Sequence, residues 1–151
     1  MILGVIMKIL VILGPNLNMV GIRKKEVYGT LTADEINKMI YDYCSDLGVE
    51  CEIFQSNHEG VLIDKIHSTL HGYDGVIINP GAYTHYSYAL RDAIECVAEV
   101  PYVEVHMSDI SNREDFRRIS VTAPVCVKQI MGFGVFSYLM AVDYLKEAYN
   151  G

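Results

Sequence analysis

A chain of 151 residues, 51% hydrophobic and 21% charged, has room for one buried core and the composition of a globular domain, not of a disordered chain. The formal charge of -7 argues against a general nucleic-acid surface, so an anionic ligand would have to meet a locally basic site in an acidic molecule. No apolar run reaches the ~18 residues that span a bilayer, and the four cysteines, Cys44, Cys51, Cys96 and Cys126, form neither a CxxC pair nor a metal-ligand spacing, which reads as reduced thiols in a cytoplasmic protein.

Short apolar runs alternate with helical patterns along the chain. The opening MILGVIMKILVILG carries Lys8 in its middle. A secretory signal would put the charge first and a small-residue cleavage site last. This run leads instead into GPNLN, so a first strand is predicted over 8–13, with 9–13 as its apolar centre. Residues 1–6 read either as an extension of that strand or as a segment upstream of a second start at Met7. Residues 14–31 form one long irregular segment, and a loop of that length in so short a chain points to function. A helix over 32–47 opens with Thr32-Ala-Asp-Glu35, a capping-box pattern, and stops before Gly48, with Ile36, Met39, Ile40 and Tyr43 on one face. Further strands are predicted over 50–55, 75–78, 102–105 and 125–127, each rich in Val and Ile or flanked by them. Helices are predicted over 59–70 (Leu62, Ile63 and Ile66 at helical spacing), 87–97 and 135–149, and a short helical turn over 112–118. Strands alternating with helices imply right-handed crossovers and a parallel sheet. Residues 1–151 are therefore expected to form a single flavodoxin-like α/β domain, a doubly wound five-stranded parallel sheet with helices on both faces.

In such sheets ligands bind beyond the carboxyl ends of the strands. The first strand is followed by Gly14-Pro15-Asn16-Leu17-Asn18 and the loop with Arg23 and Tyr28; the second by Ser56-Asn57-His58-Glu59. The third is followed by Asn79-Pro80-Gly81-Ala82-Tyr83-Thr84-His85, and the fourth runs through Glu104 and Val105 into His106-Met107-Ser108. Polar side chains are thus expected to converge on one rim. Neither GxGxxG nor GxxxxGK[ST] occurs, so dinucleotide and P-loop phosphate cradles are missing. The first turn is not a Ser/Thr-rich flavin loop, and no acidic cluster ends the first strand as a magnesium-dependent phosphoacceptor would require. His67 and His71 are four apart on a helix but lack the HExxH glutamate, which makes them a solvated face.

Taken singly, the rim residues have plain structural readings. His106 could end a strand, His85 could cap a helix, and Asn16 and Asn79 could close turns. Arg23 and Tyr28 could be solvated loop residues, and Arg113, Arg117 and Arg118 a charged helix face. Two further readings of the rim are a metal-assisted hydrolase using His58, His85 and His106, and a binding domain without catalysis.

As a set these residues resemble one family, the type II 3-dehydroquinate dehydratases (type II dehydroquinases). The resemblance is carried by ILGPNLNMVGIRKKEVYGTLT, FQSNHEGVLIDKIH, VIINPGAYTHYSYALRDAI, YVEVHMSDISNREDFRRISVTAPV and IMGFGVFSYLMAVDYL, in that order and across nearly the whole chain. It implies a lyase that dehydrates 3-dehydroquinate to 3-dehydroshikimate, in the shikimate or quinate pathway, by anti elimination through an enolate. Tyr28 matches the catalytic base and Arg23 the lid arginine that activates it. His106 matches the general acid, Glu104 the residue that orients it, and Asn16 the residue that positions a water on the enolate. Asn79, His85, Ser108, the main chain at Met107, and Arg117 match the substrate-binding set. Asp92 resembles the aspartate that reaches a neighbouring subunit's site. The resemblance further implies a small-molecule substrate, a cytoplasmic homododecamer built as a tetramer of trimers, and no metal or other cofactor. The chain departs from the family pattern at Lys24 and Lys25, where many members carry Glu-Pro, at Tyr86 and Tyr88, at Met107, and at Asp109.

The residue types suit the reaction. Elimination of water β to a ketone needs a base for the α proton, a donor for the enolate oxygen and an acid for the departing hydroxide. Tyrosine ionises near pH ~10 in water. A guanidinium ~4 Å away at an effective dielectric of ~20 is worth about 4 kcal/mol, enough to bring a phenol towards neutrality where a general base works best. Histidine titrates near neutral pH and suits the acid.

Overall fold

The computed structural model describes residues 5–22 and 30–151. Among them are five strands and four α-helices: β1 Lys8–Leu13, α1 Ala33–Asp46, β2 Glu50–Gln55, α2 Glu59–Ser68, β3 Gly75–Asn79, α3 Tyr88–Cys96, β4 Tyr102–His106, β5 Lys128–Met131 and α4 Phe136–Asn150. The strands form one parallel sheet in the order β2-β1-β3-β4-β5, the flavodoxin-like arrangement.

Strand side chains alternate between two apolar layers. Ile9, Val11, Ile77, Val103 and Val105 pack with Ile36 and Ile40 of α1 and Ala141, Val142 and Leu145 of α4. Leu10, Ile12, Val76, Ile78 and Tyr102 pack on the other face with Leu62 and Ile66 of α2 and Leu90 and Ile94 of α3. Both faces of the central strands are covered, which is why they read as unbroken apolar runs. The chain leaves β1 to one side for β2 and to the other for β3, which opens a crevice at their carboxyl ends.

The capping box forms as the sequence indicates. Thr32 Oγ1 accepts from the Glu35 amide at 3.2 Å, Glu35 Oε1 accepts from the Thr32 amide at 3.3 Å, and Gly48 follows the helix at φ 70°. His67 and His71 are exposed. The described cysteines are free thiols, and no helix among the described residues is long and apolar enough to cross a membrane.

Several expectations need correction. The last strand is not 125–127 but Lys128–Met131, because Pro124 sits in a 3-10 turn, Ala123–Val125, whose amides turn back on Thr122 and Ala123. Of the apolar triplet, Val125 ends the turn, Cys126 caps it and Val127 already donates its amide to the Tyr102 carbonyl of β4 at 2.8 Å, whereas the strand is carried by Lys128-Gln129-Ile130-Met131 at the sheet edge. Strands β3 and β4 each run one residue past the predicted end, to Asn79 and His106, since an apolar run stops where the site begins. The turn expected over 112–118 is two 3-10 turns, Ile110–Asn112 and Asp115–Arg117. Within 14–31, Leu17–Met19 forms a 3-10 turn whose Leu17 is buried. Val5 and Ile6 are exposed and outside β1, so they do not extend that strand; residues 1–4 lie outside the described residues.

Candidate active site

The carboxyl ends of β1, β3 and β4 open into one cleft. Its lining includes Asn16, Asn79, His85, His106, Met107, Ser108, Arg113 and Arg117, over an apolar floor of Leu17, Val20 and Ile110. The lining among the described residues carries two guanidinium groups and no carboxylate. An acidic protein thus presents a locally basic cleft.

The rim is assembled by close backbone approach. A Cβ on Gly14 would stand 2.4 Å from the Pro80 carbonyl oxygen, and the Gly14 amide donates to the Asn79 carbonyl at 2.8 Å. Only glycine lets the loops after β1 and β3 meet so closely. Asn16 is the one non-glycine residue with positive φ (68°) among those described, and its amide donates to Asn57 Oδ1 at 3.0 Å. The same oxygen accepts from Gln55 Nε2 at 3.0 Å. The Asn16 side chain makes no cap bond to its own turn. Asparagine tolerates the left-handed region, and the QSN segment holds it there.

Asn79 is buried; its Oδ1 accepts from the Gly81 amide at 3.1 Å and its Nδ2 donates to Tyr138 Oη at 2.9 Å, which fixes the side-chain amide and leaves its second N–H for a ligand. His85 Nδ1 lies 2.8 Å from the Ile119 carbonyl. Burial is the first cause that holds its pKa below the ordinary value, with the charges of His106 and Arg117 acting the same way against the Ile119 bond. A neutral His85 donating from Nδ1 keeps Nε2 as an acceptor.

His106 ends β4 with Nε2 3.0 Å from Glu104 Oε2, which leaves Nδ1 for the cleft. The two residues are two apart on one strand and so share a face. Burial would push the Glu104 carboxyl up; hydrogen bonds from His106, Thr122 and Ser120 outweigh it and hold the carboxyl below the usual range. Met107 packs its side chain in the α1–α4 layer and so offers the cleft its main chain. Arg117 donates from Nε to Glu114 Oε2 at 2.5 Å and stacks 4.6 Å from the Phe116 ring centroid.

Sequence reasoning read Arg113 only as part of a charged helix face and gave no site role to this residue, which lines the cleft beside Arg117, while Arg118 is 58% exposed and does not. It also missed Ser120, Thr122 and Gln129 behind Glu104, and Tyr138 behind Asn79. The available signal was a glutamate inside the apolar strand YVEVH, since a buried charge requires partners. Asp109 now has a role: its carboxylate accepts from the Ser111 amide at 3.0 Å, Ser111 Oγ at 2.6 Å and Asn112 Nδ2 at 3.2 Å, and so braces the turn that leads into Arg113. Tyr86 and Tyr88 are exposed. Asp92 is exposed on α3 and does not line the cleft of its own chain. Arg23, Lys24, Lys25 and Tyr28 lie outside the described residues. His58 is not part of the cleft lining, and no three His, Cys, Asp or Glu side chains among the described residues gather as metal ligands would, so nothing favours the three-histidine hydrolase.

The family model described as dehydroquinase class II matches residues 7–146. A protein of Thermotoga maritima named 3-dehydroquinate dehydratase is 56% identical over 141 residues, covering 93% of this chain and 96% of that one. One of the same name from Caldicellulosiruptor bescii is 55% identical over 141 residues, covering 93% and 97%. The crystal structure of a type II dehydroquinase from Butyrivibrio crossotus superposes with a TM-score of 0.93 at 53% identity, covering 95% of this chain and 99% of the other. With the family model spanning most of its length and relatives above half identity, this chain belongs to the class II dehydroquinases, as an enzyme of that family.

Proposed function

We propose that the protein dehydrates 3-dehydroquinate to 3-dehydroshikimate in the shikimate or quinate pathway. The observation that carries this reading is a histidine bonded to a buried glutamate, in a cleft whose described lining holds two arginines and no acid. The substrate class is a carboxylate bearing a ring ketone and hydroxyls. Arg113 and Arg117 meet the anion, and His85 Nε2, Asn79 Nδ2 and Ser108 are at hand for hydroxyl groups.

In the proposed elimination Tyr28, ionised by Arg23, takes the proton α to the ketone, and the C–H electron pair passes into an enolate. Asn16 holds a water against the enolate oxygen. The β carbon–oxygen bond then breaks with its electrons on oxygen, His106 gives the proton on Nδ1, and water departs from the face opposite the base. Glu104, bound to Nε2, fixes the ring and stabilises the imidazolium that acts as acid. Main-chain groups at Met107 and Ser108 join the arginines around the carboxylate. Every proton step is assigned to a side chain, so the reading includes no metal, Schiff base or other cofactor. A cytoplasmic homododecamer, a tetramer of trimers in which Asp92 reaches a neighbouring subunit's site, belongs to the same proposal; exposed apolar side chains such as Phe133, Phe136 and Ile119 are surface such an assembly could cover.

The test is an ultraviolet assay for enone formation from 3-dehydroquinate, run with and without chelator and after borohydride treatment. Turnover unchanged by either supports the proposal. No enone, or activity lost to chelator, overturns it.

A further inference from the structure

Glu104 is completely buried in the middle strand region of β4. Its oxygens are met by more than His106. Oε2 accepts from Gln129 Nε2 at 2.8 Å and lies 2.8 Å from Ser120 Oγ; Oε1 lies 3.0 Å from Ser120 Oγ and accepts a short hydrogen bond from Thr122 Oγ1. Gln129 stands directly beside Glu104 in the β4–β5 register. Ser120 Oγ is itself anchored by the Ala123 amide at 2.9 Å, and Thr122 is fully buried. The reaction proposed above assigns none of these three a task.

A carboxylate paired with a histidine alone is matched only while the histidine is charged. Each time His106 gave up its proton, a buried anion would remain with one neutral partner, and it would compete for the proton that the histidine must next recover. Neutral donors do not titrate, so they satisfy the carboxylate in both halves of the cycle. We infer that Ser120, Thr122 and Gln129 are positioning residues that keep Glu104 ionised whether His106 is charged or neutral, so that the acid's proton is lost to the leaving group and regained on the imidazole alone. This rests on the acid role of His106. In that step the carbon–oxygen bond breaks with its pair on oxygen, the Nδ1 proton joins that oxygen as water leaves, and the imidazole keeps its Nε2–H on an unchanged carboxylate. Among the described residues, the other titratable or charged groups facing the pair are His85 from the turn after β3, Arg113 and Arg117 across the cleft, and Cys126, whose thiol is pushed up by burial and by Glu104 and so stays protonated.

The test has two arms. In the first, the Glu104 carboxyl carbon is followed by NMR in protein labelled with carbon-13 glutamate, in His106→Leu at neutral pH. An ionised Glu104 with no histidine beside it supports the inference; a protonated Glu104 overturns it. In the second, Thr122→Val and Gln129→Met are assayed against 3-dehydroquinate. Loss of a donor raises the carboxylate's affinity for protons, so kcat falls about 10- to 100-fold, KM changes little, and the pH–rate profile moves to higher pH, with Thr122→Ser close to the parent. A lower kcat with an unmoved profile marks a merely structural role and overturns the inference, as does unchanged kcat. A wild-type enzyme inactive on 3-dehydroquinate overturns the proposed function, while the NMR arm still decides this point.

Discussion

His106 Nε2 lies 3.0 Å from Glu104 Oε2, and the carboxylate that receives it is fully buried. The histidine is thereby held in one ring orientation with its other nitrogen on the cleft. Glu104→Gln keeps the size of the side chain and removes the charge that favours an imidazolium. The expected result is a kcat about 100-fold lower or worse. His106→Ala should cost at least as much. Steady-state kinetics across pH measure both, and a Glu104→Gln variant with normal turnover would remove the orienting role.

Arg23→Ala and Tyr28→Phe should each lower kcat by about 100-fold or more while circular dichroism and thermal melting stay close to the parent. Both residues belong to the long segment that follows the first strand in the sequence, and an unchanged melt would mark the loss as chemical and not structural. Two variants that both turn over 3-dehydroquinate normally would displace the base assignment.

Arg113 and Arg117 bring positive charge into the cleft of a protein whose formal charge is -7. Substitution of either by methionine keeps most of the apolar stem and removes the charge-assisted bonds to an anion. The expected effect is a rise in KM of about 10- to 100-fold with a smaller change in kcat. Added salt should raise the parent's KM more steeply than that of either variant.

Acid should weaken the fold in two stages. The His85 pKa is lowered, chiefly by burial, so its contribution is complete above the unfolded value of ~6.5 and is lost as pH falls from there through the folded value. The Glu104 pKa is also lowered, so its contribution is complete above the unfolded value of ~4.3 and is lost as pH falls through the folded value. Thermal melting from pH 8 to pH 3 should therefore show Tm declining first below about 6.5 and again, more steeply, below about 4.3. His85→Asn should flatten only the first decline.

Gly14→Ala places a methyl 2.4 Å from the Pro80 carbonyl oxygen, against backbone that cannot swing aside. The loops after β1 and β3 must separate, which should destabilise the fold by about 2–4 kcal/mol. The same displacement should impair turnover, because Asn16 and Asn79 flank that contact. Denaturant unfolding and kinetics on one preparation measure the two effects together.

The layers of this fold are legible from one-dimensional pattern. Ile9, Val11, Ile77 and Val103 fall on one face of the sheet and Leu10, Ile12, Val76 and Tyr102 on the other because strand periodicity is two. The Thr32–Glu35 capping box starts α1 where the sequence says it should. The cleft was legible in outline for a similar reason: polar residues directly follow apolar strands, as Asn79 and His106 do, and parallel strands deliver their ends to one rim. Where pattern failed, a polar residue was inside. Gln129 interrupts β5 and hid the strand, yet it is there because Glu104 is its neighbour.

From its own order of residues the chain determined the alternation of strands and helices, the rim on which His106, Asn79 and Asn16 would gather, and its family motifs. Only the tertiary structure decided which neutral donors surround Glu104, that Arg113 joins Arg117 while Arg118 turns to solvent, and that Asp109 braces the turn leading into Arg113. Periodicity reports which face of an element is buried, a local property. The partner that satisfies a buried charge is set by the register between strands and the path of turns far apart in sequence, and that is fixed only when the whole core packs.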